Sequence, residues 1–173
     1  MANAANPLIP PDGQLVITDG AALTFTLPYE DGDISISGLT KGQKAVQKFT
    51  TRGRGYAVRE TEDQDVEISF TAHAVGLKSD GTTALISDIV NKIGVWSGAT
   101  STLPAAAGDA FCVTCTWTGE RTSYGASADA YLRLKYVHFD EDFSEGIPGK
   151  ISVKGTAYVM SYLGDDSVLF AAP

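Results

Sequence analysis

Two thiols and two imidazoles are the only soft or titratable groups near neutrality in this chain: Cys112 and Cys115, in FCVTCTWT, with His73 and His138. A C-x-x-C spacing serves redox chemistry or zinc when the two sulfurs converge. Here the alternating residues around it predict a strand, on which positions three apart point to opposite faces. That excludes a disulfide between them, and there is no second cysteine pair to complete a metal site. Cys115 reads as a buried thiol beside Phe111, Val113 and Trp117. Cys112 falls on the other face, with Thr114, Thr116 and Thr118.

Nucleophilic catalysis fares no better. No GxSxG elbow exposes a serine. His73 falls on the wet face of its strand, and His138 aligns with Leu132, Leu134 and Tyr136 as a packed residue. No Gly-rich loop of phosphate- or dinucleotide-binding spacing is present, and GRG at 53–55 is too short to serve as one. Trp117 sits on a strand's apolar face and Trp96 closes a helix, so both read as core and not as sugar platforms. The acidic run Asp140, Glu141, Asp142, Glu145 lacks the ligand spacing of an EF-hand loop and reads as a solvated turn. The expectation is a protein that is not an enzyme, with no catalytic residue, no metal and no cofactor.

Charge is where the chain becomes specific. Six cations, Lys41, Lys44, Lys48, Arg52, Arg54 and Arg59, occupy 41–59 without an acid, and 60–67 then holds Glu60, Glu62, Asp63, Asp65 and Glu67 without a cation. Adjacent blocks of opposite sign repel their own kind and attract each other's opposite ends, which suits a protein that binds further copies in fixed orientation. The six cations with Glu60, Glu62 and Asp63 are therefore candidates for a subunit interface. The formal net charge of −8 argues against a surface that grips nucleic acid.

The elements that must carry these residues follow from period-two alternation, broken by Gly, Pro, Asp and Ser clusters. Strands are predicted near 14–18, 23–27, 34–37, 45–50, 64–77, 110–118, 130–139 and 150–162. In the fifth, Val66, Ile68, Phe70, Ala72 and Ala74 share a dry face, while Asp65, Glu67, Ser69, Thr71 and His73 share a wet one. One segment keeps helical period instead. Leu85, Ile86, Ile89, Val90 and Ile93 form a stripe over about 83–93, with Thr82 or Thr83 as cap and Gly94 as stop. The 173 residues are thus read as a single mostly β domain, an antiparallel β-sandwich or half-barrel with one flanking α-helix. Residues 1–13 form an N-terminal arm, 38–63 a long loop and 164–173 a C-terminal tail. The first thirteen residues lack the basic start and apolar run of a signal peptide, and no stretch is long and apolar enough for a membrane span, which points to the cytoplasm.

The run YEDGDISISGLTKGQKAVQKFTTRGRGYAVRETEDQDVEISFTAH, residues 29–73, resembles the tail tube (major tail) proteins of long-tailed bacteriophages. The likeness rests on an acidic DGD turn opening an Ile/Ser strand, the basic RGR segment, and an acidic stretch feeding a long strand. The later order of a helix, two long strands and a closing GKISVKGTAYVMS is similar as well. The resemblance implies hexameric rings stacked into a hollow tube that conducts DNA during ejection. It implies as partners further copies of the chain, a tape-measure protein, a tail terminator and baseplate or tail-tip proteins, with the assembled product in the virion tail. On that reading the loop 38–63 reaches a neighbouring subunit, and Asp65 and Glu67 face the lumen. Two other readings stand beside it: a virion part that forms one ring, such as a tail terminator or head-tail connector, and a β-sandwich ligand-binding module.

Overall fold

A computed structural model of the chain describes residues 13–27, 34–38, 44–51, 54–63, 65–73, 82–119, 130–144, 150–160 and 168–171. In chain order these form β1 (Gly13–Thr18), β2 (Thr24–Leu27), β3 (Ser35–Ser37), β4 (Lys44–Thr51), β5 (Arg54–Asp63), β6 (Val66–His73), α1 (Ile86–Asn91), a 3-10 turn (Gly94–Trp96), β7 (Val113–Gly119), β8 (Ala130–Ser144), β9 (Lys150–Ala157) and β10 (Val168–Ala171). Eight strands make one open antiparallel sheet in the order β2-β1-β7-β8-β9-β6-β3, with β10 also paired to β8. Among the described residues, strands β4 and β5 pair only with each other. The mostly β, antiparallel class with one short helix is the one the alternation predicts.

The sheet depends on how β8 is built. Its first half pairs with β7 and β10, through residues 130–134, and its second half pairs with β9 through 137–144. Between the halves, Cys115 faces Leu134 but Val113 faces Val137, so β8 carries one residue more than β7 across the same interval. This is a β-bulge, and Tyr136 takes the left-handed conformation there with φ of 58°. A left-handed residue with a side chain costs about 1–2 kcal/mol. Tyr136 offsets that cost by burying its ring against Leu103 and Cys112, and its carbonyl accepts the Tyr158 N–H at 3.2 Å.

The bulge shifts the parity of the strand. Leu132 and Leu134 point into the core before it, and Val137 and Phe139 after it. His138 is therefore not on the face of Leu132 and Leu134, as plain alternation predicts. It lies on the opposite face, where its Nδ1 is 2.9 Å from the Phe111 carbonyl oxygen. The inward residues of both halves join one core: Leu15 and Ile17 of β1, Val66, Ile68 and Phe70 of β6, Ile151 and Val153 of β9, and Ile86, Ile89 and Trp96 from the helical segment.

The helix is shorter than its apolar stripe. It begins after Leu85, whose N–H donates to the Asp88 carboxylate at 3.0 Å, so an acid in the first turn caps it and not Thr82 or Thr83. It ends at Lys92, which is left-handed at φ of 53° and holds its Nζ 5.2 Å from the Phe111 ring centre. Asn91 donates to Ser87 O and to Glu141 of β8, which fixes the helix over the second half of that strand.

Four more expectations are corrected. Residues 38–63 are largely a two-stranded ribbon and not a long loop, and the tail 164–173 contains β10. Asp140, Glu141 and Asp142 lie within β8 and not in a turn, because β8 runs five residues beyond Phe139 to meet β9. Cys112 is buried as deeply as Cys115, since the segment carrying Leu103 and Ala107 covers its face. Residues 1–12 of the predicted N-terminal arm lie outside the described residues.

One carboxylate ties the β1–β2 turn to the segment after the helix. Asp19 Oδ1 accepts the N–H groups of Ala21 and Leu23 at 3.0 and 2.9 Å, and Oδ2 accepts that of Thr100 at 3.0 Å. Burial raises its pKa, but the backbone donors, Thr100 first, outweigh burial and hold it below the ordinary value. A depressed folded pKa contributes stability that is present above the unfolded pKa and is lost as pH falls through the folded one. Urea melts of Asp19→Asn are expected to show a loss of about 1–3 kcal/mol at pH 7, with the gap to wild type closing under acid as Asp19 protonates. The core makes a second prediction. A Cβ on Gly155 of β9 would lie 2.6 Å from the Phe139 ring and 2.9 Å from Ile68 Cγ2. Phe139 in turn stands edge-on to Phe70 at 5.8 Å, which leaves it little room to move. Gly155→Ala is expected to cost about 1–3 kcal/mol by overpacking, read from the urea midpoint.

Candidate assembly surface

The charged ribbon is an outgrowth of a hairpin at the sheet edge. β3 pairs with β6 and is the last strand of the sheet, its final pair being Ser37 with Glu67. Gly38 follows at φ of 79°, and a Cβ there would approach the Asp65 carbonyl oxygen at 3.1 Å, so the chain leaves the sheet through a glycine. Pairing resumes at Lys44 opposite Asp63 and continues to Thr51 opposite Arg54. At about 3.3 Å per residue, the eight residues of β4 span roughly 26 Å. Among the described residues, neither ribbon strand shares a ladder with a strand of the main sheet.

The ribbon is polar at its far end on both faces. Lys48, Phe49, Thr50, Arg54 and Gly55 are exposed, and the Lys48 chain lies across Gly55, its Cε 2.8 Å from where a Cβ would stand. Phe49, opposite Ala57, is the one exposed large apolar side chain among the described residues, at 38%. Of the cations singled out by the sequence, Lys44, Lys48, Arg54 and Arg59 stand on the ribbon. Lys41 and Arg52 lie outside the described residues. Glu60, Glu62 and Asp63 occupy the near end of β5, where Lys44 meets Asp63 and Arg59 adjoins Glu60, so the two charge blocks interleave there and Arg54 alone stands at the far end.

Asp65 and Glu67 are both exposed, at the root of this ribbon. Asp65 Oδ1 accepts the Val159 N–H at 3.0 Å, so one oxygen is committed to joining β6 to the segment after β9. Glu67 opens a wet sheet face that continues over Ser69 and Thr71 of β6, Ser152, Lys154 and Thr156 of β9, and His138, Asp140 and Asp142 of β8. Asp140 stands directly opposite Lys154. Lys150 and Lys154 are exposed on it beside Glu67, Asp140 and Asp142, so the face is of mixed sign and not a continuous acidic lining. The sequence had singled out Asp65 and Glu67 as lining acids and had read Asp140 and Asp142 as part of a turn. The alternation of β8 past the bulge was the signal for the others.

The candidate chemical residues do not converge. Cys112 and Cys115 are free and buried in different clusters. Burial pushes the Cys112 thiol up to about 11 and raises Cys115 as well, so neither is a thiolate near neutral pH. Among the described residues no three His, Cys, Asp or Glu side chains gather as a metal site would need, and no helix is long and apolar enough to cross a membrane.

No family model matches the sequence, and no curated protein matches it. Solved structures do match in fold. One is a chain from the extended-state PVC sheath/tube terminator of an extracellular contractile injection system, with a TM-score of 0.54 at 9% identity over 99% of each chain. Another is from the baseplate of the anti-feeding prophage, with a TM-score of 0.50 at 5% identity over 87% of this chain and 91% of that one. At these identities the likeness is one of fold, and it extends along nearly the whole chain.

Proposed function

We propose that this chain is a structural protein of a phage tail or tail-like particle, and that it forms a ring at the end of the tail tube as a terminator does. The observation that carries the reading is the fold match over 99% of both chains to a structure described as a sheath/tube terminator. A second reading is the tube itself, with stacked hexameric rings growing around a tape-measure protein and conducting DNA. It is favoured by the resemblance of residues 29–73 to tube proteins, a run in which Lys44, Lys48, Arg54, Arg59, Glu60, Glu62 and Asp63 stand on the paired strands β4 and β5.

The physical logic is common to both. An open sheet ends in edges that must be blunted or used, and neighbours in a ring can use them. Exposed ion pairs contribute only about 0–1 kcal/mol each, so apolar contact such as Phe49 supplies must accompany the charges. Asp65 and Glu67 would face the lumen in either assembly and repel the phosphates of passing DNA, although Lys150 and Lys154 temper that field. Catalysis has no part in this role.

Negative-stain microscopy and sedimentation of the purified chain separate the possibilities. Rings of one fixed mass at all concentrations are the expected result. Tubes that lengthen with concentration select the second reading, and monomers at the highest concentrations overturn both.

A further inference from the structure

Residues 101–112 leave the sheet between two fixed ends. Before them, Thr100 donates to Asp19 Oδ2 and accepts the Gly20 N–H at 2.8 Å, and after them Val113 pairs with Val137 of β8. One hydroxyl closes the neck between these ends. Ser101 Oγ accepts the N–H groups of Leu103 at 3.2 Å and Cys112 at 3.0 Å, and it donates to the Ala110 carbonyl oxygen at 3.0 Å. The Thr102 N–H adds a bond to the Cys112 carbonyl oxygen at 2.8 Å. Beyond the neck, residues 104–106 and 108–110 are exposed, so Leu103 and Ala107 are the side chains that rest on the body.

Those two cover a cluster that shares no buried residue with the main core, formed by Cys112 and Tyr136 with Tyr158 and Met160 half-buried beside them. Two costs accompany the closed state. Tyr136 is held left-handed at φ of 58°, and Thr102 Oγ1 is buried without a hydrogen-bond partner among the described residues. A small apolar contact, one pinning hydroxyl and two costs relieved on release describe a segment that opens below the free energy of global unfolding.

We infer that 101–112 is a strap that opens as one unit between Thr100 and Val113 while the sheet stays intact, uncovering the Cys112 thiol and the Tyr136 ring. Cys115 supplies the contrast, because it is buried in the main core and is reached only when the sheet itself unfolds. The strap belongs to a single chain and does not depend on the ring reading.

Iodoacetamide alkylation of the native chain, with fragmentation of the labelled peptide to assign each thiol, tests it. Below the urea transition, Cys112 is expected to react at least about a hundredfold faster than Cys115, at a rate nearly independent of urea, since the opening exposes little surface. Ser101→Ala is expected to speed Cys112 about tenfold or more and to leave Cys115 unchanged, which separates loss of the pin from loss of global stability. Equal rates for the two thiols, or a Cys112 rate that climbs with urea as steeply as global unfolding does, overturn the strap. If Ser101→Ala accelerates both thiols alike, Leu103→Ala replaces it, and Cys112 must then gain on Cys115 or the strap is not separate from the body.

Discussion

The body depends on β8 changing, halfway along, which of its side chains face inward. A fifteen-residue strand with strict alternation would either pair with β7 and β10 or continue into β9 with its polar side chains in the core. The extra residue at the bulge resolves this by resetting the parity, so that Leu132 and Leu134 on one side and Val137 and Phe139 on the other reach the same core. The cost is a tyrosine in left-handed conformation. It is met by the small second cluster of Leu103, Cys112 and Tyr136, which also explains why Cys112 is buried on a face that looks polar.

The remaining elements follow from that strand. The helix is held over the second half of β8 by Asn91 and Glu141, and its apolar stripe closes the core there. The outer strands are short, four residues in β2 and three in β3, which leaves little free ladder for unspecific pairing. The charged hairpin grows from the β3–β6 edge. There Gly38 lets the chain leave the sheet, and β4 and β5 pair as a separate two-stranded ribbon.

Much of this was legible in the sequence, and the failures have physical causes. Strands β6 and β9 could be read because each has one dry and one wet face, and Ile86 with Ile89 gave the helix its period. The strand RGYAVRETED could not, because its apolar and polar residues do not alternate. The bulge was invisible because Tyr136 is not the glycine that usually signals a left-handed residue, and His138 was misassigned in consequence. The short β10 was hidden by its length, four residues of a tail that pair only with residues 131–134. The charge blocks were evident from the first. What the sequence could not supply was that Lys44, Lys48, Arg54, Arg59, Glu60, Glu62 and Asp63 stand on two strands paired with each other, and not on a loop and the strand after it.

The central claim is that the ribbon is built for a neighbouring copy and not for its own body. Hydrogen exchange of the β4 and β5 amides, compared between dilute monomer and assembled particle, addresses that directly. The account predicts fast exchange in the monomer and strong protection in the assembly, with the β8–β9 amides slow in both. Ribbon amides as slow as those of β8–β9 in the monomer, or equally fast in both states, would contradict it.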